Sequence, residues 1–224
     1  MSFLEPREQP VKRTVALAGA TGLVGRSILE GLLADPSVQA VHVLGRRKPR
    51  VAHARITGHI VDFAALPPLA PVEEVYLALG TTIKVAGSQA AFRAVDFDAN
   101  LAVAGAALAA GARRCGLVSA MGANAKSSVF YNRVKGELEE ALAQLPFKGL
   151  VIARPSLLVG NRASLGQPER PLEKVSAVFM KILGPLIPAN YRAIAATQVA
   201  RTLFARTPST EGRVVVLSGE MHRS

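Results

Sequence analysis

The chain has 224 residues, half of them hydrophobic, which is ample for one core. Lys and Arg number 27 against 16 Asp and Glu, a formal charge of +11, which suits an anionic small molecule or plain solvation. The basic residues are scattered, with one dense run, "GRRKPR" (Gly45 to Arg50), and no aromatic interleaving, so nucleic acid is not the expected partner. A lone cysteine, Cys115, excludes an intrachain disulfide.

In chain order, the start "MSFLEPREQPVKR" has charges and prolines where a signal peptide needs an apolar run. Residues 1–11 are expected to form a flexible tail. No uninterrupted apolar stretch reaches the roughly 18 residues of a membrane span. "VSAVFMKILGPLIPA" (Val175 to Ala189) comes nearest and is broken by Lys181, Gly184 and two prolines. The expectation is a cytoplasmic protein without a membrane segment.

Seven short apolar runs then read as buried strands. They are Arg13 to Ala20, Ala40 to Gly45, His59 to Phe63, Glu74 to Gly80, Cys115 to Ala120, Gly149 to Arg154 and Arg213 to Gly219. Helix-like segments over Leu23 to Ala34, Gln89 to Ala110 and Arg133 to Gln144 separate most of them. This alternation predicts an α/β fold, a Rossmann-like doubly wound parallel sheet, with residues 12–224 as one dinucleotide-binding domain. Residues 155–194 would supply much of a small substrate lid, and "MKILGPLIPANYR" gives that lid an apolar character.

The first strand runs into "GATGLVG", with Gly19, Gly22 and Gly25 spaced G-x-x-G-x-x-G. Glycine here permits a tight bend and close backbone approach to a pyrophosphate, and the helix that follows points its free N–H groups at the anion. Thr21, Leu23 and Val24 fall in the same turn. Tight strand-helix packing alone would also use glycine, but a position between the first strand and a helix favours dinucleotide binding. The second strand ends in Arg46 and Arg47 without a nearby acid. An NAD site usually has an acid there, whereas guanidinium groups match a 2′-phosphate. NADP(H) is therefore expected in preference to NAD(H).

This glycine spacing resembles that of the short-chain dehydrogenase/reductase superfamily, in its extended and atypical branches. The resemblance covers nearly the whole chain. It is carried further by "VDF" (Val61 to Phe63), "LALGTT" (Leu77 to Thr82), "FRAVDFDANLAVAGAALAAGARR" (Phe92 to Arg114), "YNRVK" (Tyr131 to Lys135) and "ARPSLLVGNR" (Ala153 to Arg162). The combination looks most like the Tat-interacting-protein-like oxidoreductases, a group also described as nucleoside-diphosphate-sugar epimerase-like. The resemblance implies that Asp62 and Phe63 contact adenine and that Leu79, Gly80, Thr81, Thr82 and Pro155 line the cofactor. It also implies that Lys135 binds the nicotinamide ribose. Where extended members often carry a helix asparagine this chain has Asp96, with Asn100 one turn later.

Tyr131 and Lys135 share one face of a helix at i and i+4. A free phenol ionises only near pH ~10, and a neighbouring ammonium favours the phenolate. The pair can therefore hand a proton to a substrate oxygen or take one from it. The resemblance adds a serine near the end of the fifth strand that orients this oxygen. Ser119 fits by strand-end geometry, while Ser127 and Ser128 are nearer to Tyr131 in sequence. The four histidines show no metal-ligand spacing, so no metal is expected. His42 and Cys115, both on strands, read as core groups.

These readings favour an NADPH-dependent oxidoreductase acting on a small carbonyl, alcohol or quinone-like molecule, with Tyr131 as acid/base. The alternatives are a nucleotide-sugar epimerase or dehydratase, and a non-catalytic NADP(H)-binding regulator with a protein partner. Oligomeric state is not legible.

Overall fold

The computed structural model describes residues 12–49, 51–159 and 188–223. The expected tail over residues 1–11 and most of the expected lid, 160–187, lie outside the described residues.

Continuous apolar runs need cover on both faces, and the chain provides it. Seven parallel strands form one sheet: β1 (Arg13–Ala18), β2 (Val38–Gly45), β3 (Ile56–Ile60), β4 (Glu74–Leu77), β5 (Arg114–Val118), β6 (Gly149–Arg154) and β9 (Gly212–Leu217). Their order is β3-β2-β1-β4-β5-β6-β9. A second, two-stranded sheet pairs β7 (Leu158–Val159) with β8 (Ile194–Ala195). The helices are α1 (Leu23–Ala34), α2 (Ile83–Ala86), α3 (Gln89–Arg93), α4 (Asn100–Ala109), α5 (Phe130–Ala143), α6 (Ala196–Arg206) and α7 (Ser218–Met221).

Alternation along β1 splits the core in two. Val15 and Leu17 pack with Ile28 and Leu32 of α1 and with Val199 and Leu203 of α6. Ala16 and Ala18 face the layer of Val103 and Ala107 from α4 and Leu138 and Leu142 from α5. Burying one such leucine contributes roughly 1.5–3 kcal/mol. The small residues on β1 and α4 let the second helical layer approach closely. Strand order reverses between β1 and β4, so their carboxyl ends frame the crevice where α/β sheets bind ligands.

The expected doubly wound sheet is present, with four differences from the sequence reading. The third strand covers Ile56–Ile60 rather than His59 to Phe63. "IVDF" looked like strand because Val61 is buried, but Val61 caps the core from the turn, with its N–H donating to Gly45 O at 3.0 Å. The paired residues lie on an edge and are largely exposed, so they carry little apolar signal. The long helix over Gln89 to Ala110 is interrupted by a π-helical segment, Ala94–Ala99. There the Asn100 side-chain amide donates to the carbonyls of Val95 and Asp96. Helix α6 was not expected; its apolar face, Ala196, Val199, Ala200 and Leu203, is buried against α1. Finally, His42 is half-buried rather than core, with Nδ1 2.9 Å from Nε2 of His59 on the neighbouring strand.

At the opposite end of the sheet from the crevice, Arg13 ties three elements together. Its Nη1 donates to both oxygens of Glu74 on β4 at 2.7 and 2.6 Å. Its Nη2 donates to Asp35 Oδ2 at 2.6 Å and its Nε to Ser37 Oγ at 3.1 Å. The Tyr76 hydroxyl donates to Glu74 Oε2 at 2.9 Å. Burial, reinforced by Glu74, pushes the Tyr76 phenol well above its usual range.

Removing the guanidinium leaves a buried carboxylate without its counter-ion. Arg13→Met should cost about 3–5 kcal/mol in urea unfolding. The exposed pair Arg26–Glu30 gives the control, because Arg26→Met should cost no more than about 0.5 kcal/mol. Equal losses in the two variants would show that the Arg13 cluster is not a stability element.

Candidate active site

The three glycines of the first turn do different work. Gly19 has φ +90°, and a Cβ there would lie 2.3 Å from Ala78 O. A Cβ on Gly25 would lie 2.1 Å from Gly19 O. Both are fixed by contacts within the protein. Gly22 has extended backbone, and an added Cβ would meet Gly19 O at 3.3 Å, a tight contact but not the overlap found at Gly19 and Gly25. Gly22 is the N-cap of α1, no side chain caps the helix, and its first turn has no acid. The helix head thus offers amide donors to an anion. Thr21 is exposed at the same turn, Leu23 is half-buried, and Val24 gives its side chain to the core.

Around this turn stand the ends of three strands. Arg46 and Arg47 are exposed just beyond β2. Asp62, after β3, is exposed and accepts the Ala64 N–H at 3.0 Å, while Phe63 packs against the core. After β4 come Leu79, Gly80, Thr81 and Thr82. Thr82 Oγ1 caps α2 by accepting the Val85 N–H at 3.2 Å. The Thr81 N–H donates to Asp96 Oδ2 at 2.8 Å. A Cβ on Gly80 would sit 3.5 Å from Asp96 Oδ1 and 4.0 Å from Lys135 Nζ, so this loop lies directly against the Asp96–Lys135 pair. Pro155, after β6, is buried and accepts the Met121 N–H at 2.9 Å.

Helix α5 brings Tyr131 to its first turn and Lys135 one turn later. The Tyr131 ring packs on Phe92, 5.6 Å between centroids. Lys135 is almost wholly buried, with Nζ 2.8 Å from Asp96 Oδ1. Burial pulls its pKa down, but the fields of Asp96, Tyr131 and Glu139 outweigh that, and the net shift is upward. The ammonium therefore stays charged through the neutral range. Gly136 has a packing role: a Cβ there would run into the backbone of Asn124 and Ala125, so glycine lets that loop lie on α5.

Ser119 is buried just past β5, and its hydroxyl donates to Glu139 Oε1 at 2.5 Å. Glu139 is itself held by Arg154, through Nε at 3.0 Å and Nη2 at 2.5 Å, and approached by Arg213 at 3.5 Å. The hydroxyl proton of Ser119 is thus committed, and only its lone pairs remain to face a ligand. Ser127 Oγ accepts the Val129 N–H at 3.1 Å, and Ser128 is exposed. Glu139 borders a cavity of about 320 Å³ that Asn124, Gly136, Arg154 and Arg213 also line. Sequence reading missed Glu139. Its signal was the i, i+4, i+8 spacing of Tyr131, Lys135 and Glu139 on one helix face. The pairing of Asp96 with Lys135 was also missed, because it depends on the π-helical turn.

No family model matches the chain. "Protein fmp52, mitochondrial" of Emericella nidulans is 37% identical over 180 residues, 76% of each chain. "Protein FMP52, mitochondrial" of Meyerozyma guilliermondii is 34% identical over 211 residues, 91% of this chain and 90% of its own. These names overturn the expected cytoplasmic location. That expectation rested on the lack of an apolar signal run, which speaks against secretion and says nothing of mitochondria.

Among solved structures, an oxidoreductase of the short-chain dehydrogenase/reductase family from Burkholderia thailandensis has a TM-score of 0.66 at 18% identity, covering 94% of this chain and 93% of its own. The Bordetella bronchiseptica enzyme WbmG, in complex with NAD, has a TM-score of 0.64 at 17% identity, covering 97% and 76%. The Helicobacter pylori ADP-L-glycero-D-manno-heptose-6-epimerase has a TM-score of 0.67 at 12% identity, covering 94% and 78%. None of these names carries the narrower Tat-interacting-protein likeness. The fold is the Rossmann-like one that these dehydrogenase and epimerase structures share, and by its identity to the fungal proteins along most of its length the chain belongs to the FMP52 family.

Proposed function

We propose that the protein is an NADPH-dependent oxidoreductase that moves hydride between nicotinamide and a small carbonyl, alcohol or quinone-like substrate. The observation that carries this reading is the buried, charged Lys135 one helical turn from Tyr131, beside the crevice at the sheet's switch point. The uncapped head of α1 fits a pyrophosphate. Arg46 and Arg47 would hold a 2′-phosphate, and Asp62 and Phe63 would flank the adenine. Leu79 to Thr82, Lys135 and Pro155 would line the ribose and nicotinamide. When bound, the cofactor supplies or accepts the hydride. Tyr131 Oη gives the proton to the substrate oxygen or takes it. Ser119, its own proton engaged by Glu139, can only accept a hydrogen bond in this arrangement. The relatives' names support a mitochondrial location.

A nucleotide-sugar epimerase uses the same parts, and the fold neighbours include epimerases. A panel of carbonyl compounds and nucleotide sugars, followed at the nicotinamide absorbance, separates the two readings. Net NADPH consumption supports the oxidoreductase. Sugar conversion without net consumption supports the epimerase.

NADPH should bind more tightly than NADH, and Arg46→Ala with Arg47→Ala should erase the difference. Each lost charge-assisted hydrogen bond is typically worth about 1.5–3 kcal/mol, so the loss should exceed roughly tenfold by calorimetry. Equal native affinities for the two cofactors would reject the assignment of the arginines.

Gly22→Val should fold, since its backbone is extended and an added Cβ, 3.3 Å from Gly19 O, needs only a small local shift. It should nevertheless lose dinucleotide binding, because the added side chain occupies the pyrophosphate's approach. Retained affinity in the folded variant would place the phosphates elsewhere.

Tyr131→Phe keeps the ring on Phe92 and removes only the hydroxyl. Turnover should fall about 10²–10⁴-fold, with unfolding and NADPH affinity little changed. Native-rate turnover by this variant would mean that another group carries the proton.

A further inference from the structure

The buried charges around α5 do not balance as a bare Tyr-Lys pair would. Asp96 is 1% exposed, and both of its oxygens are held: Oδ2 by the Thr81 N–H and Oδ1 against Lys135 Nζ, each at 2.8 Å. Its backbone is gripped as well, since the Asn100 side chain donates to the Asp96 carbonyl at 3.2 Å and to Leu79 O at 3.3 Å. A π-helical turn inside an α-helix is costly and often marks a functional site. This one brings both Asp96 and Asn100 into the buried interior. The carboxylate and ammonium sit out of water, so salt and solvent screen them little.

We infer that Asp96 is a positioning residue, which fixes the Lys135 ammonium on the face of α5 that carries Tyr131 and offsets part of that ammonium's pull on the Tyr131 proton. This rests on the oxidoreductase reading above.

Lys135 alone would place one uncompensated positive charge a helical turn from the phenol, and such a charge favours the phenolate. With Asp96 at 2.8 Å, the phenol faces a pair of zero net charge, close to a dipole. The other charges on the neighbouring elements leave a positive excess, so the offset by Asp96 is partial. Glu139, one turn beyond Lys135, is met by both Arg154 and Arg213. Glu137 of α5 is shared by Arg93 of α3 and Arg133 of α5. Phe92, whose ring meets that of Tyr131, carries no charge. Under the oxidoreductase reading, hydride would reach the carbonyl carbon from the reduced cofactor when that is bound, while the proton would pass from Tyr131 Oη to the carbonyl oxygen.

The composition offers a direct test that needs no substrate. The chain has three tyrosines and no tryptophan. Tyr76 is fully buried and pushed well above its ordinary range, so it is silent in a titration short of unfolding. Tyr191 is exposed, and the difference between a protein and its Tyr131→Phe counterpart cancels it. The phenolate absorbance of Tyr131 can therefore be followed against pH in the free protein. In Asp96→Asn, which removes the charge and keeps the shape, that band should appear about one pH unit lower than in the native protein. Asp96→Ser should shift it the same way, and serves if Asp96→Asn does not fold. On a Lys135→Met background neither substitution should lower the band, because the ammonium through which Asp96 acts is gone. An unmoved band in folded Asp96→Asn and Asp96→Ser overturns the inference, as does an equal lowering on the Lys135→Met background. Failure of every carbonyl to consume NADPH would instead overturn the oxidoreductase reading and leave the titration result standing.

Discussion

The site depends on one close approach, that of Gly19 to the carbonyl of Ala78. No side chain fits between them, since a Cβ on Gly19 would lie 2.3 Å from that oxygen. Because Gly25 is pressed as tightly onto Gly19, three backbone segments meet: the end of β1, the first turn of α1 and the exit of β4. This meeting point lies where strand order reverses. It sets the head of α1 beside the loop that continues through Gly80 and Thr81. That loop in turn touches Asp96 and Lys135. Glycine backbone therefore links the head of α1 to helix α5 with little side chain between them. Such contacts are short and stiff, and they transmit position better than long polar side chains would.

Buried charge is handled differently at the two ends of the sheet. At the amino end, Arg13 satisfies Glu74, Asp35 and Ser37 together, and Tyr76 adds a donor. Nothing there faces a crevice, and the cluster's effect is to hold β1, β4 and the end of α1 in register. At the carboxyl end, Lys135 and Asp96 form one pair, and Glu139 with Arg154 and Arg213 forms the next. Charge sites of this kind are expensive to bury and are weak grounds for stability alone. Their placement next to Tyr131 and Ser119 is the arrangement that the proposed proton transfer uses.

Much of this was legible in the sequence because it is carried by local chemistry. The glycine turn, the arginines after β2 and the Tyr131–Lys135 spacing are contiguous motifs. The seven strands announced themselves as apolar runs, except β3, whose edge position leaves it little apolar signal. What stayed hidden was non-local or depended on helix geometry. Helix α6 has an apolar face of only four residues and no strong cap. The π-helical turn changes which residues of "AVDFDAN" point inward, and a regular 3.6-residue reading cannot foresee that. Ser119 directly follows β5, but its partner Glu139 lies 20 residues away on α5.

The position of that partner bears on how the reactive face of α5 is organised. Tyr131, Lys135 and Glu139 recur every four residues, so one helix presents a phenol, a cation and an anion in sequence. Each of the two charged members draws a second group from another element: Asp96 from the π-helical turn to Lys135, and Ser119 from the end of β5 to Glu139. A single rotation or slide of α5 would disturb both contacts together. Gly136 sets the spacing of α5 from the Asn124–Ala125 loop, and Leu138 and Leu142 seat the helix on the sheet. The packing that holds α5 in place is therefore also what aligns its charges, so core substitutions under this helix act on the site even though they touch no ligand.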